Sequence, residues 1–245
     1  LTHAQLALLL LAVAVMAAPS GDRMLKLPVM PKAQLGIPAN YNTSIYSGYL
    51  STGNANRSLH YVFVESIKGA GNRDPVTLWL NGGPGCSSML GKGANNLGFI
   101  QEIGPCYLPN GVDYKDNDTL IPNPYSWHTV SNLLFLESPA GVGYSYNTDS
   151  KLEFNDSLVA KDSLNALVDF FGNGKFGEYV RNDFWLAGES YAGKYIPDLA
   201  VEIDKYNRGN PIVTILLKGQ LVGNGVITFE GGDLQTSQTD FMLNH

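Results

Sequence analysis

The second half of the 245-residue chain alternates short apolar runs with longer amphipathic segments, and this order restricts its fold more than any other feature. Residues 132–137, 184–187 and 212–217 have the length and composition of buried strands, the last continued or followed by residues 221–224. Between them, residues 156–171 and 192–206 carry apolar side chains at helical spacing. This β-α-β-α-β order predicts parallel strands that are joined by right-handed helical crossovers.

Two strands of a different kind come earlier in the chain. Residues 46–50 and 59–66 flank a polar, glycine-containing turn and predict an antiparallel hairpin. Residues 75–80 form another short apolar run, which enters the glycine-rich stretch 81–85. We therefore expect an α/β fold with a mixed, mostly parallel sheet, flanking helices and an early antiparallel hairpin. The α/β-hydrolase fold begins in the same way.

The corner between the predicted strand 184–187 and the helix after it reads Gly188-Glu189-Ser190-Tyr191-Ala192-Gly193. A serine on such a strained strand-to-helix turn needs small residues two positions away on either side, here Gly188 and Ala192. The adjacent helix N-terminus favours a developing oxyanion. The glycine-rich stretch 81–85, at the end of another strand, can aim main-chain N–H groups at the same oxygen. The pattern predicts a nucleophilic serine with an oxyanion hole.

Several longer strings, in their order and approximate spacing, resemble the serine carboxypeptidases. They are WLNGGPGCSS (79–88), QEIGP (101–105), NPYSW (123–127), LLFLESPAGVGYSY (133–146), GESYAGKYIP (188–197) and LVGNG (221–225). The resemblance covers nearly all of residues 40–245. It implies an α/β-hydrolase fold and the release of C-terminal amino acids from peptides through an acyl-enzyme.

The resemblance also implies a role for individual residues of this chain. Ser190 matches the acylating nucleophile, and Gly83 and Tyr191 match the donors of the two oxyanion N–H groups. The group that holds the substrate's free C-terminal carboxylate is matched by Trp79, Asn81, Glu102 and Glu189. Cys86 matches a cysteine that bridges to the C-terminal half of the family's domain, and a bond to Cys106 is a less favoured alternative.

A pair of carboxyl groups that binds a carboxylate is physically reasonable if one of them keeps a proton. Two close carboxyl groups do not both ionise cheaply, so one of Glu102 and Glu189 is expected to donate a hydrogen bond. The pair loses that proton as the pH rises. We therefore expect an acidic optimum for peptide release.

The general base that Ser190 needs is harder to find among the four histidines. In this fold the order of the triad is serine, then an acid, then histidine. Only His245 follows Ser190, and Asp240 is too close to it for the two to project from separate strands. We expect the acid and the histidine of the triad to be absent, the sheet to be truncated at its C-terminal side, and the isolated chain to be inactive and poorly soluble.

The N-terminus has the pattern of a targeting segment. Residues 1–18 contain an apolar stretch that is typical of a secretory signal peptide and too short to span a bilayer, and the starting Met is missing. We expect residues 19–40 to be an extended leader and residues 41–245 to be the N-terminal part of the hydrolase domain. Four sequons predict N-glycosylation in the secretory pathway, at Asn42, Asn56, Asn117 and Asn155. We expect the protein to be secreted or lysosomal/vacuolar.

The overall composition narrows the partners. A net charge of −6 and the lack of a long basic cluster argue against nucleic acid. No spacing of Cys and His fits a metal site, and serine acyl transfer needs no cofactor, so we expect neither; the substrate is the C-terminus of a peptide or protein. An acyltransferase on the same scaffold and a non-catalytic carboxypeptidase-like binding protein stay open. Side-chain specificity and oligomeric state are not predicted.

Overall fold

The computed structural model of the chain describes residues 43–89, 98–107, 121–151, 153–172 and 175–226. The strands are β1 (Ile45–Ser51), β2 (Arg57–Val64), β3 (Val76–Leu80), β4 (Cys106–Tyr107), β5 (Ile121–Pro122), β6 (Asn132–Leu136), β7 (Tyr146–Asn147), β8 (Phe184–Glu189) and β9 (Leu217–Gly223). The α-helices are α1 (Asp156–Gly172) and α2 (Ala192–Arg208). Short helical turns lie at Gly98–Glu102, Trp127–Thr129 and Gly177–Tyr179.

The sheet has the mixed topology that the pattern predicts. Its strand order is β1-β2-β6-β3-β8-β9, with β7 paired beside β2. β3 pairs in parallel with both β6 and β8, and β8 pairs in parallel with β9. β1, β2 and β6 pair in antiparallel fashion. The predicted α/β fold is therefore confirmed, with β9 at the edge of the sheet among the described strands.

The early hairpin and the first crossover helix lie where the sequence places them. Ile45 pairs with Val64 and Ser51 with Ser58, which leaves a tight turn between the two strands. Helix α1 begins after Asn155, whose side-chain oxygen accepts a hydrogen bond from Leu158 N at 2.9 Å. An asparagine at this position satisfies one of the N–H groups that a helix start leaves without a helical partner.

The last strand differs from the prediction. Residues 212–216 are not extended in the sheet, and pairing with β8 runs through Leu217–Gly223. Asn207, near the end of α2, binds the main chain of Ile215 through both its amide nitrogen (2.8 Å) and its oxygen (3.1 Å). This clasp places Ile215 in the core while Ile212 is fully exposed. The apolar run at 212–217 therefore reflects one buried side chain before the strand.

The core lies on both faces of the sheet. The larger cluster packs strand residues such as Phe63 and Leu186 against the buried faces of α1 and α2. The smaller cluster, on the opposite face, includes Trp79, Phe99 and Phe135. The sheet is thus covered on the face that carries both crossover helices, and the second cluster lies next to the ends of β3 and β8.

Several predictions concern residues outside the described ranges. The signal peptide, the leader, His245 and the sequons at Asn42 and Asn117 lie there, and what we expect of them stays a prediction. The other two sequon residues, Asn56 and Asn155, are exposed. No helix within the described ranges is long and apolar enough to cross a membrane.

Candidate active site

Ser190 occupies a strained corner between β8 and α2. Its φ is 59°, in the left-handed region, which a residue other than glycine adopts only where the surrounding structure holds it in place. Ser190 N donates to Gly223 O at 3.0 Å, and Gly193 N donates to Ser190 O at 2.9 Å, so both sides of the corner are fixed. A Cβ at Gly188 would lie 2.8 Å from the buried Cβ of Ala192, which explains the small residues on either side. The geometry is that of a nucleophile elbow.

The loop after β3 packs directly against this elbow. A Cβ at Gly82 would overlap Tyr191 N and would lie 2.8 Å from Ser190 Cβ, so only glycine lets the two backbones approach so closely. Gly83, with φ 112°, is exposed, and Cys86 N donates to Gly82 O at 3.1 Å to close the turn. Gly83 and Tyr191, the predicted oxyanion donors, therefore lie on two segments that meet at Ser190.

The parallel register of β3 and β8 brings Asn81 beside Glu189. Leu80 pairs with Gly188, so the residues that follow them, Asn81 and Glu189, lie beside each other at the same edge of the sheet. The side-chain nitrogen of Asn81 lies 3.1 Å from Glu189 Oε1 and 3.4 Å from Glu102 Oε2. The side-chain oxygen of Asn81 accepts from Trp79 Nε1 at 2.8 Å, which fixes the orientation of the amide.

Glu102 reaches this cluster because the turn Gly98–Glu102 lies against β3. A Cβ at Gly98 would overlap the Trp79 indole and would lie 2.7 Å from Asn81 Oδ1. Asn123 holds the turn from its other side, since its amide nitrogen donates to Glu102 O at 3.1 Å and to Gly104 O at 2.9 Å. We call Trp79, Asn81, Glu102 and Glu189 the carboxyl cluster. Asn81 is almost fully buried, whereas both glutamates are partly exposed.

The side chain of Tyr191 connects the elbow to the start of α1. Its hydroxyl donates to Asp156 Oδ1 at 3.0 Å. Burial, together with this hydrogen bond, raises the pKa of Tyr191, so the phenol stays protonated. The ring also packs edge-on against Tyr195, with centroids 5.0 Å apart. The residue whose N–H is a predicted oxyanion donor is thus held through its side chain as well as its backbone.

Known proteins are similar to this chain. The serine carboxypeptidase family profile matches residues 35–245. The chain belongs to the serine carboxypeptidase family. It is 43% identical to a serine carboxypeptidase of Caenorhabditis elegans over 217 residues, and 42% identical to the lysosomal protective protein of Mus musculus over 218 residues. These alignments cover 87% and 89% of this chain and 40% of each relative.

A solved structure supports the same conclusion. The chain matches the prohormone-processing carboxypeptidase Kex1Δp of Saccharomyces cerevisiae with a TM-score of 0.70 and 26% identity. The match covers 85% of this chain and 44% of that protein. The chain therefore spans about two fifths of the length of the serine carboxypeptidases that it resembles, with the α/β-hydrolase fold intact over the shared part.

The two histidines in the described part of this serine carboxypeptidase chain are engaged away from the elbow. His60 lies between Ser47 and Glu137, with ring nitrogens 2.8 Å from Ser47 Oγ and 2.9 Å from Glu137 Oε2. His128 Nδ1 lies 2.6 Å from Ser126 Oγ, and burial lowers the pKa of His128 to about 4. Neither is hydrogen-bonded to Ser190, and the absence of the general base from this chain stays a prediction.

Both cysteines of the chain are free thiols, so they do not pair with each other. Cys86 is partly exposed in the loop after β3, residues 81–88, which we call the oxyanion loop. Cys106 is buried, and burial raises the pKa of Cys106 to about 12. The described residues contain no cluster of His, Cys, Asp and Glu that would hold a metal ion. The disulfide from Cys86 to a more distant cysteine stays a prediction.

Some residues that support the site were not predicted individually. One of them is Asp156, which anchors the Tyr191 hydroxyl. Ser88 donates to Leu136 O and accepts from Asn81 N, both at 3.2 Å, and so ties the oxyanion loop to β6. In the sequence, only the two serines that follow Cys86 hint at this connection. Their partners cannot be recognised there, because they lie about fifty residues further along the chain.

Proposed function

We propose that this protein contributes the nucleophile, the oxyanion hole and the carboxylate-binding group of a serine carboxypeptidase that releases C-terminal amino acids from peptides. The observation that carries the proposal is the carboxyl cluster next to Ser190. Two glutamates converge on one oriented asparagine amide at the edge of the sheet where the elbow projects. That arrangement suits a substrate whose chain ends in a free carboxylate at the reacting serine.

In the proposed reaction, Ser190 Oγ attacks the carbonyl carbon of the last peptide bond. The N–H groups of Gly83 and Tyr191 stabilise the oxyanion, which in such sites contributes a factor of roughly 10² to 10³ per donor. The C–N bond breaks, the terminal amino acid leaves with a proton from the general base, and water then hydrolyses the acyl-serine. Neither step requires a metal ion or a cofactor.

The general base is proposed to come from the part of the relatives' length that this chain does not span. Without a histidine hydrogen-bonded to it, the Ser190 hydroxyl is a weak nucleophile. An oxyanion hole and substrate binding alone leave only a small residual acceleration. The isolated 245-residue chain is therefore expected to bind substrates and react slowly with activated probes, but to turn over poorly.

The carboxyl cluster is proposed to recognise the substrate's terminal carboxylate through a retained proton. Asn81 donates to both glutamates, so the two carboxyl groups meet at one amide. A carboxyl group of the pair that keeps its proton would supply a further donor to the ligand carboxylate. This donor disappears once both glutamates are ionised. Binding of a free C-terminus, and with it peptide release, should therefore be strongest at acidic pH.

Entry into the secretory pathway is the second part of the proposal. It rests on the apolar segment within residues 1–18, on the four sequons, and on relatives that include the lysosomal protective protein of Mus musculus. At Asn155 the side-chain oxygen caps α1, whereas a glycan attaches to the nitrogen, so capping and glycosylation are compatible. We propose a secreted or lysosomal/vacuolar location, with a disulfide from Cys86 to the remaining part of the domain.

The test uses N-blocked dipeptides with the protein as it is expressed from its whole reading frame. Release of the C-terminal amino acid is measured against the same dipeptides with an amidated C-terminus, and with Ser190→Ala. We expect release from the free acids only, better at acidic than at neutral pH, and none from Ser190→Ala. Equal hydrolysis of acid and amide would contradict the role of the carboxyl cluster.

The same assay separates the two alternatives. Transfer of the acyl group to an added alcohol in preference to water would identify an acyltransferase. Binding of the free-acid dipeptide with neither release nor labelling of Ser190 by a serine-directed phosphonate would identify a non-catalytic binding protein.

A further inference from the structure

Glu137 is a fully buried carboxylate that lies outside the carboxyl cluster. It follows β6 and accepts three hydrogen bonds: from Ser87 Oγ, from the His60 ring nitrogen Nδ1 at 2.9 Å, and from Tyr144 N at 2.7 Å. Burial of a carboxyl group is costly unless it is hydrogen-bonded, so these bonds are needed at this position. The three donors come from three separate segments of the chain.

One of those segments is the loop that carries Gly83. Ser87 is nearly buried, donates to Glu137, and at the same time accepts from Met89 N at 3.0 Å. The exposed tip of the loop, Gly83 to Gly85, has no side chains of its own except Pro84 with which to hold its position. Bonds made at the base of the loop therefore help to fix its geometry, and Ser87 makes the one to the buried carboxyl group.

The surroundings of Glu137 are built closely around the carboxyl group. A Cβ at Gly143 would overlap it, so the residue 143 backbone lies directly against the carboxylate. Ser145 Oγ donates to Glu137 O at 2.6 Å and accepts from His60 N at 2.7 Å. His60 is held in turn by Ser47, whose Oγ lies 2.8 Å from its other ring nitrogen, and by the edge of Tyr144 at 5.3 Å. Two of the three donors to the carboxyl group, Ser87 and His60, are thus themselves held by further hydrogen bonds.

We propose that Glu137 and Ser87 are positioning residues for catalysis. They hold the oxyanion loop at such a distance from Ser190 that the Gly83 N–H can donate to the oxyanion that forms there. His60 supplies the second side-chain donor that keeps the carboxylate in place. This inference rests on the proposed function, because it assigns the network a purpose in the reaction of Ser190. A displacement of one donor by about 1 Å is enough to cost about a hundredfold in rate, so a well-anchored loop matters to the chemistry.

The test compares Ser87→Ala and Glu137→Gln with two matched controls. Ser138→Ala removes a buried serine next to Glu137 that bonds to Ser163 instead, and Glu65→Gln alters a buried carboxyl group that hydrogen-bonds Tyr46 and Tyr179. Three quantities are measured: the rate of Ser190 labelling by a fluorophosphonate, the Kd of an N-blocked dipeptide acid, and deuterium exchange of the peptide that covers residues 80–89.

We expect both test variants to slow Ser190 labelling about tenfold or more and to speed exchange in residues 80–89, with the dipeptide Kd changed less than twofold. The controls should leave all three quantities near those of the unmodified protein. Ser87→Thr, which keeps the hydroxyl, should restore the labelling rate. A role in folding alone would instead weaken dipeptide binding together with labelling.

Three results would overturn the inference. One is Ser190 labelling in Ser87→Ala within twofold of the unmodified protein. Another is unchanged exchange of residues 80–89 in a folded variant. The third is labelling of Ser47 in place of Ser190, which would make the Ser47–His60–Glu137 chain a nucleophilic site instead of a support. If the unmodified protein is not labelled at all, the proposed function fails, and the exchange measurement alone decides whether the network anchors the loop.

Discussion

Replacement of Asn81 by alanine removes three hydrogen bonds at once from an almost fully buried position. The Trp79 indole N–H, itself buried, loses its acceptor, and an unsatisfied buried donor costs about 1–3 kcal/mol. The hydrogen bonds from the Asn81 amide nitrogen to Glu102 and Glu189 involve partly exposed carboxyl groups and contribute about 0.5–1.5 kcal/mol each. We expect a loss of about 2–6 kcal/mol of stability, hence a lower Tm by about 4–24 °C for a domain of this size.

Urea and thermal denaturation measure this loss, with Asn165→Ala as the control. Asn165 is an exposed asparagine whose side-chain amide nitrogen donates one hydrogen bond, to Thr52 O at 2.8 Å. Its replacement should cost less than about 1.5 kcal/mol. Asn81→Ala should also weaken binding of an N-blocked dipeptide acid at least tenfold, without weakening binding of the corresponding amide. An Asn81→Ala protein as stable as Asn165→Ala, with unchanged preference for the acid, would refute the reasoning.

Four further predictions concern single side chains. Burial raises the pKa of Glu65 above its ordinary 4.5, so the unfolded chain releases this proton first and stability falls as the pH rises above about 4.5; Glu65→Gln should flatten that part of a Tm-against-pH curve. The pKa of His128 is lowered from 6.5 to about 4, so stability is fully present above pH 6.5 and is lost as the pH falls towards 4; His128→Gln should remove that loss. Gly98→Ala should displace Glu102 and weaken binding of the dipeptide acid more than that of the amide, as titration calorimetry would show. In the isolated 245-residue chain, where Cys86 is a free thiol, iodoacetamide should modify Cys86 well before Cys106, and mass spectrometry of the two peptides would reveal the opposite order if the burial of Cys106 were wrong.

Much of the fold could be predicted because the four central strands, β2, β6, β3 and β8, are mostly buried and flanked by clear turns. β3 and β6 are fully buried along their length, so their apolar runs coincide with the strands themselves. β9 is different, since most of its residues are exposed at the edge of the sheet and its sequence, LKGQLVG, has little apolar content. The more apolar residues just before it were therefore mistaken for the strand. The two-residue strands β4 and β5 are too short for any periodicity.

The candidate site divides in the same way between local and distant determinants. Ser190 was identifiable because an elbow is a local structure, with its small residues on either side of the serine. Asn81 lies close to Glu189 because of the register between β3 and β8. The sequence predicts a mostly parallel sheet, but it does not show which residues of two strands lie opposite each other. Glu102 was assigned only from the resemblance to the family. The contacts of Glu137 join residues 50 and 77 positions apart, and no local pattern marks them.

The most direct test of the account is a fluorophosphonate reaction with the protein from the whole reading frame, followed by peptide mapping of the adduct. The account predicts one adduct per chain, on Ser190, which forms more slowly when the dipeptide acid is present and is lost in Ser190→Ala. An adduct on another residue, or no adduct in a protein that still releases C-terminal amino acids, would contradict it.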